Sequence, residues 1–334
     1  MEWTDQVDQA DWIRARLDDG PTASMHGFMP RGLPAYVRIL HPAVRDRPVG
    51  RAWPPAPADR HRRAWAAFQA AAPQIESRRV SWASAAEAFG STLHAQAQWD
   101  GLLGADRLQH AESEPRDAAG WRYAAPEQGR LEDDLLAAVA GHLAAHTSTP
   151  DDGGIAVWDG WGGLTGFYGS TPARTFLTFD GQGGAASAPA GAGVREQHNA
   201  MIGRSIHDRF NGVFSPPAWQ PGTLSDDISR GARLSLPARE HILFRGGIAE
   251  LAEAGWSRRV PWAEAGADGF GTPSPSLIWP ADQAWVLATE VDLDSTVVGG
   301  TPELIRALRA DPRLEAIPLT EGTDLSWDAD EVSR

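Results

Sequence analysis

The chain predicts an α+β fold: a mixed or antiparallel sheet with helices packed on it and a Gly/Pro-rich insertion. Two observations lead there. Strand-like and helix-like segments follow one another without a strict βαβα rhythm, and no internal repeat sets a period. At 334 residues the chain forms one α+β unit or two lobes, 1–150 and 151–334. Residues 166–235, rich in Gly, Ala, Ser and Pro, read as an insertion or mobile loop.

Taken in order, "DQADWIRARL" places Trp12, Ile13 and Leu17 at helical spacing and reads as a short helix. "AYVRILHP" (35–42) is β-rich and closed by a proline, hence a strand. Residues 42–59, crowded with Pro and Arg, predict an extended surface loop. "HRRAWAAFQAAA" and "SWASAAEAFG" predict helices, and "TLHAQAQW" alternates like a half-buried strand.

The clearest helix is "LEDDLLAAVAGHLAAH" (131–146), with acids in its first turn, one apolar stripe and Pro150 beyond it. "GIAVWDGWGG" predicts a buried strand running into a glycine turn. Further on, "HILFRG" and "WVLATEVDLD" read as strands and "GIAELAEAG" as a helix. In "TPELIRALRADP", Thr301 stands at a helix cap with Pro302 at the first helical position. A helix is also expected near "REQHNAMIGRSIHDRF".

The stretches "GLPAYVRILHPA", "HTSTPDDG", "VWDGWGG", "HILFRG", "SLIWPADQAWVLATEVDLDSTVVGG" and "DPRLEAI" together resemble an uncharacterised family of actinobacterial hypothetical proteins. The similarity runs through most of the chain in one order, with 166–235 departing from it. That family has no assigned activity, so the resemblance implies no catalytic roles.

Composition excludes several chemistries. Cysteine is absent and all 30 basic side chains are arginine, which removes thiol nucleophiles, thiolate metal sites, Schiff bases and a P-loop lysine. A net charge of −14 argues against nucleic-acid or anionic-membrane binding. The surplus is uneven: from Asp282 onward there are 12 acids against 4 arginines. It serves solubility or forms a negative patch for a cation or basic partner. No apolar run approaches the roughly 18 residues of a membrane span, and the acidic start lacks a secretory pattern, so a cytoplasmic location is expected.

The functional candidates centre on the last third. If 285–294 is extended, Trp285, Leu287, Thr289, Val291 and Leu293 share one side and Glu290, Asp292 and Asp294 the other. Acids about 7 Å apart then form either a solvated strand end or a site for Mg²⁺, Mn²⁺ or Ca²⁺. Asp159, between Trp158 and Trp161, is a ligand contact or a turn initiator. Arg245 is the best basic partner for these acids, or else pairs structurally within the fold. His142 and His146 are four apart, but the helix dipole accounts for both. "GQGGAA" (181–186) lacks the helix start that a dinucleotide turn needs.

These readings predict a binding or interaction protein engaging a small molecule or basic protein through an acidic C-terminal site. The ligand candidates are Asp159, Trp158, Arg245 and Trp285. The alternative is a divalent-metal-dependent hydrolase using Glu290, Asp292 and Asp294.

Overall fold

The structure, a computed structural model, describes residues 1–19, 24–104, 115–169, 218–263 and 272–332. The helix expected near "REQHNAMIGRSIHDRF" and the glycine turn "GQGGAA" lie outside them. Short runs of Val, Ile, Leu and aromatic residues build the central sheet, because such side chains fit a pleated surface packed on both sides. Its strands are β1 (Glu2–Trp3), β2 (Ala35–Leu40), β6 (Gly153–Trp158), β9 (Leu234–Ser235), β10 (Glu240–Arg245), β11 (Leu277–Pro280), β12 (Val286–Ala288), β13 (Ser295–Gly300) and β14 (Ala316–Leu319). The order is β1-β10-β6-β11-β12-β13-β2-β14, with β9 also on β10, and every pair is antiparallel. The α+β expectation therefore holds, with the sheet in its antiparallel form. Strands from the first 150 residues lie between or beside strands from the last hundred.

Side-chain alternation divides the core. Val37, Ile155, Val157, Ile242, Phe244, Leu287 and Val298 face one way, against α5 (Asp133–Ala144) and α7 (Pro302–Ala310). Asp133 and Asp134 favour the start of α5 through the helix dipole, and Leu135, Leu136, Val139 and Leu143 pack its inner stripe. Each such leucine contributes about 2 kcal/mol by burial. In α7 the Thr301 hydroxyl accepts from the Leu304 amide, as the sequence predicts. The other face of the sheet, including Ala156, Leu243, Leu277 and Val297, is covered by Ile13 of α1 (Asp11–Arg14) and by Met25 and Met29.

A second sheet of β3 (Ala43–Pro48), β4 (Ile75–Val80) and β5 (Arg122–Ala124) has the order β4-β3-β5. Around it lie α2 (Arg62–Ala70), α3 (Trp82–Phe89) and the short α4 (Trp99–Leu102), with Trp82, Trp99 and Trp121 in one apolar cluster. Strands β7 (Phe167–Gly169) and β8 (Ala218–Gln220) pair as a ribbon, and α6 (Asp226–Arg230) follows.

Four expectations are corrected. The first residues of 42–59 form β3, because Ala43 to Pro48 pair with β4; β5 pairs only Val44 to Asp46, so Pro48 lies where the other side of β3 is an unpaired edge. "TLHAQAQW" is irregular up to α4, since Arg38 takes the carbonyls of Ala95 and Ala97 that a strand partner would need. "GIAELAEAG" forms only a short 3₁₀ turn, Ile248–Glu250. The strand read over 285–294 ends at Ala288. No helix among the described residues is long and apolar enough to cross a membrane.

Candidate functional site

Alternation holds through β12: Leu287 faces the helices, Val286 and Ala288 the opposite layer. It then fails, because the Leu293 amide turns back to donate to the Glu290 carbonyl at 3.0 Å. Gly129 braces that turn. Its amide donates to the Leu293 carbonyl at 2.9 Å, and a Cβ there would come within 2.7 Å of the Val291 backbone. The three acids are thus loop residues, and the loop splits them.

Glu290 and Asp292 converge on one cation. Arg239 donates from Nε to Glu290 Oε1 and from Nη2 to Asp292 Oδ2, both at 2.5 Å, and its guanidinium lies 5.0 Å from the Trp158 ring centroid. Register explains the meeting: Trp158 at the end of β6 stands opposite His241 near the start of β10, and Arg239 immediately precedes β10. Burial pushes the Glu290 carboxyl above its ordinary range and the Arg239 charge opposes the shift. Asp292, with 79% of its side chain exposed, keeps most of its surface toward solvent.

Asp159 follows Trp158, and its Oδ2 lies 3.0 Å from Arg233 Nε. Alignment there falls short of a hydrogen bond, since Arg233 Nε has no acceptor and the Arg233 terminal nitrogens donate to the carbonyls of Ile228, Ser229 and Gly231. Trp161 packs edge-to-face on Trp158 at 5.6 Å. Among the described residues, Asp159 Oδ1, Trp161 Nε1 and His241 Nδ1 in this corner also lack a hydrogen-bond partner. Beside them Phe28, Leu236, His241, Ser276 and Glu290 line a slot with only about 20 Å³ open to a water-sized sphere. It has room for a water, not for a metabolite.

The other predicted residues lie elsewhere. Arg245 pairs with Asp152 through two bonds at 2.8 and 2.9 Å at the opposite end of β10, so it partners none of the site acids. Trp285 is fully buried and donates to the Leu143 carbonyl, which makes it a core residue. Asp294 turns inward, where Arg38 Nη2 donates to it at 3.3 Å. Glu290, Asp292 and Asp294 therefore do not converge as one metal-ligand set, and no group of three metal-type side chains gathers among the described residues. His142 meets Asp311 at 2.8 Å while His146 bonds the His142 carbonyl, so the two rings share no ligand.

Arg239 and His241 are the site residues that sequence reasoning misses. The available signal was position: an arginine and a histidine flanking the first residue of a buried strand, with a tryptophan closing another. Pairing those strands required the register.

Two buried histidines sit at this end of the sheet. His41 Nδ1 donates to the Glu127 carbonyl, so Nε2 accepts from Thr296, whose oxygen lies 2.9 Å from the Thr289 hydroxyl. Desolvation lowers His41 and His241 to about 4 each. Below the ordinary value near 6.5 the unfolded chain binds protons that the native rings refuse, so stability falls as pH drops from 6.5 to 4, by on the order of 3 kcal/mol per ring. The raised Glu290 and Asp294 carboxyls act in the opposite sense, their contribution being lost as pH rises through their folded pKa. Thermal melts at pH 7.5, 6.5, 5.5 and 4.5 are expected to show a steady fall in Tm that flattens in a His41→Asn, His241→Asn chain. Equal slopes in both would contradict neutral buried rings.

No protein-family model, curated protein or solved structure matches this chain.

Proposed function

We propose that this is a binding protein that engages a basic partner through the acidic end of its central sheet. The observation that carries the reading is the Arg239 clamp, where two carboxylates and an indole face hold one guanidinium. Carboxylate forks beside an aromatic platform suit a guanidinium or ammonium group. Asp292 is exposed, so its pairing with Arg239 is weak and open to exchange with a partner's cation. The acid surplus beyond Asp282 adds long-range attraction for such a partner.

The metal-dependent hydrolase reading has less support, because Asp294 is committed to Arg38 and the remaining pair to Arg239. Calorimetric titration with a short arginine-rich peptide at low ionic strength tests the proposal. Binding is expected, weakened at least tenfold in a Glu290→Gln, Asp292→Asn chain; equal binding by both chains would refute it. Melts with Mg²⁺, Mn²⁺ or Ca²⁺ are expected to leave Tm unchanged. A metal-induced rise lost in the same double variant would favour the hydrolase.

A further inference from the structure

A second cleft lies on the three-stranded sheet, beside β3 and β4. Its volume is about 520 Å³, and it is lined by Arg47, Arg51, Glu76 and the segments 48–50 and 118–120. That size falls within the ordinary range for small-molecule sites. Residues 42–80 hold 8 arginines against 3 acids in a chain whose net charge is −14.

Strand geometry concentrates those arginines. Arg45 and Arg47 are two apart on β3 and share a face, while Arg78 of β4 stands directly opposite Arg45. Like charges directly opposite across a ladder repel, an arrangement that sheets normally avoid. All three guanidiniums crowd one indole, at 4.6, 4.3 and 5.6 Å from the Trp121 ring centroid. Glu76 accepts from both Arg47 and Arg78 and is held below its usual range by those contacts. Arg45 donates to the Tyr123 hydroxyl at 3.3 Å, which itself donates to Asp117, and among the described residues the buried Arg45 Nε has no hydrogen-bond acceptor. Neither Arg45 nor Arg51 has a carboxylate partner among the described residues. Asp46, the next acid along β3, is taken by a two-bond pairing with Arg122.

We propose that this cleft binds a small phosphorylated ligand, with Arg47 and Arg51 contacting its phosphate and Arg45 and Arg78 supplying field from behind. A phosphate dianion offers enough charge and acceptor oxygens for several guanidiniums, where a monocarboxylate serves one. It would also relieve the repulsion between Arg45 and Arg78. The overall negative charge of the protein disfavours a polyanion such as nucleic acid, which meets repulsion outside the cleft.

The test is calorimetric titration of the full chain with inorganic pyrophosphate at low ionic strength. Single-stranded DNA and acetate are the comparison ligands. Saturable pyrophosphate binding is expected, with acetate at least tenfold weaker. Arg51→Ala, a rim change with no carboxylate partner to lose, and Arg47→Gln should each weaken binding at least tenfold. Arg306→Ala, on α7 against the other sheet, should leave it unchanged. Absent binding, equal binding by the Arg51→Ala chain, or DNA binding more tightly than pyrophosphate would each overturn the proposal. The Glu290→Gln, Asp292→Asn chain should bind pyrophosphate normally, which keeps this site separate from the basic-partner reading.

Discussion

Replacing Arg38 by alanine is expected to destabilise the protein by about 3–5 kcal/mol, the range for stripping one member from a buried charge pair. Arg38 is fully buried in β2 and donates to four groups: Ser295 Oγ at 2.9 Å, the carbonyls of Ala95 and Ala97 at 3.0 and 2.9 Å, and Asp294 at 3.3 Å. Its guanidinium also lies 5.4 Å from the Trp82 ring centroid. Truncation leaves the Asp294 carboxylate and two carbonyls desolvated and unanswered. Asp294 already titrates above its ordinary value because burial outweighs the Arg38 charge. Without that charge it rises further, and a protonated Asp294 costs less to bury. The deficit relative to wild type should therefore shrink as pH falls from 7 toward 4. An Arg38→Met, Asp294→Leu chain, which removes both charges and keeps volume, should recover much of the loss. Urea unfolding measures all three. A loss under 1 kcal/mol at pH 7 would mean that the buried arginine does not organise this corner.

The second large effect is expected at Arg239. In an Arg239→Ala chain, affinity for a basic peptide should rise about tenfold, because the internal competitor for Glu290 and Asp292 is gone and the Trp158 face is uncovered. Stability should fall by only about 1–2 kcal/mol, since Glu290 is partly buried while the Asp292 contact is solvent-exposed. A variant that folds yet binds the peptide less tightly would mean that Arg239 helps hold the partner, and the clamp would need a different role.

Most of the fold was legible because local signals agreed with tertiary demand. The helices at 62–70, 82–89 and 302–310 carry caps or stripes that packing then uses, with Gly90 at φ 72° ending the second and Thr301 opening the third. Failures occurred where distant groups overrode the local pattern. Residues 92–99 alternate like a strand, yet the carbonyls of Ala95 and Ala97 go to Arg38. Residues 289–294 continue the alternation of β12, yet a turn braced by Gly129 redirects them. That difference decides the site. Two of the three acids proved to be neighbours, together with Trp158, but the cation that gathers them sits some fifty residues earlier and shares no motif with them. Arg245 lies at the far end of the same strand, five residues from Glu240, where it takes the structural-pairing role with Asp152 instead.

The proposed receptor character of the acidic end is tested most directly by chemical rescue of the Arg239→Ala chain with N-acetyl-arginine amide at constant ionic strength. A dose-dependent rise in Tm is expected, absent from wild type and from the Arg239→Ala, Glu290→Gln, Asp292→Asn chain. No rise, or the same rise in all three proteins, would contradict a guanidinium site formed by Glu290, Asp292 and Trp158.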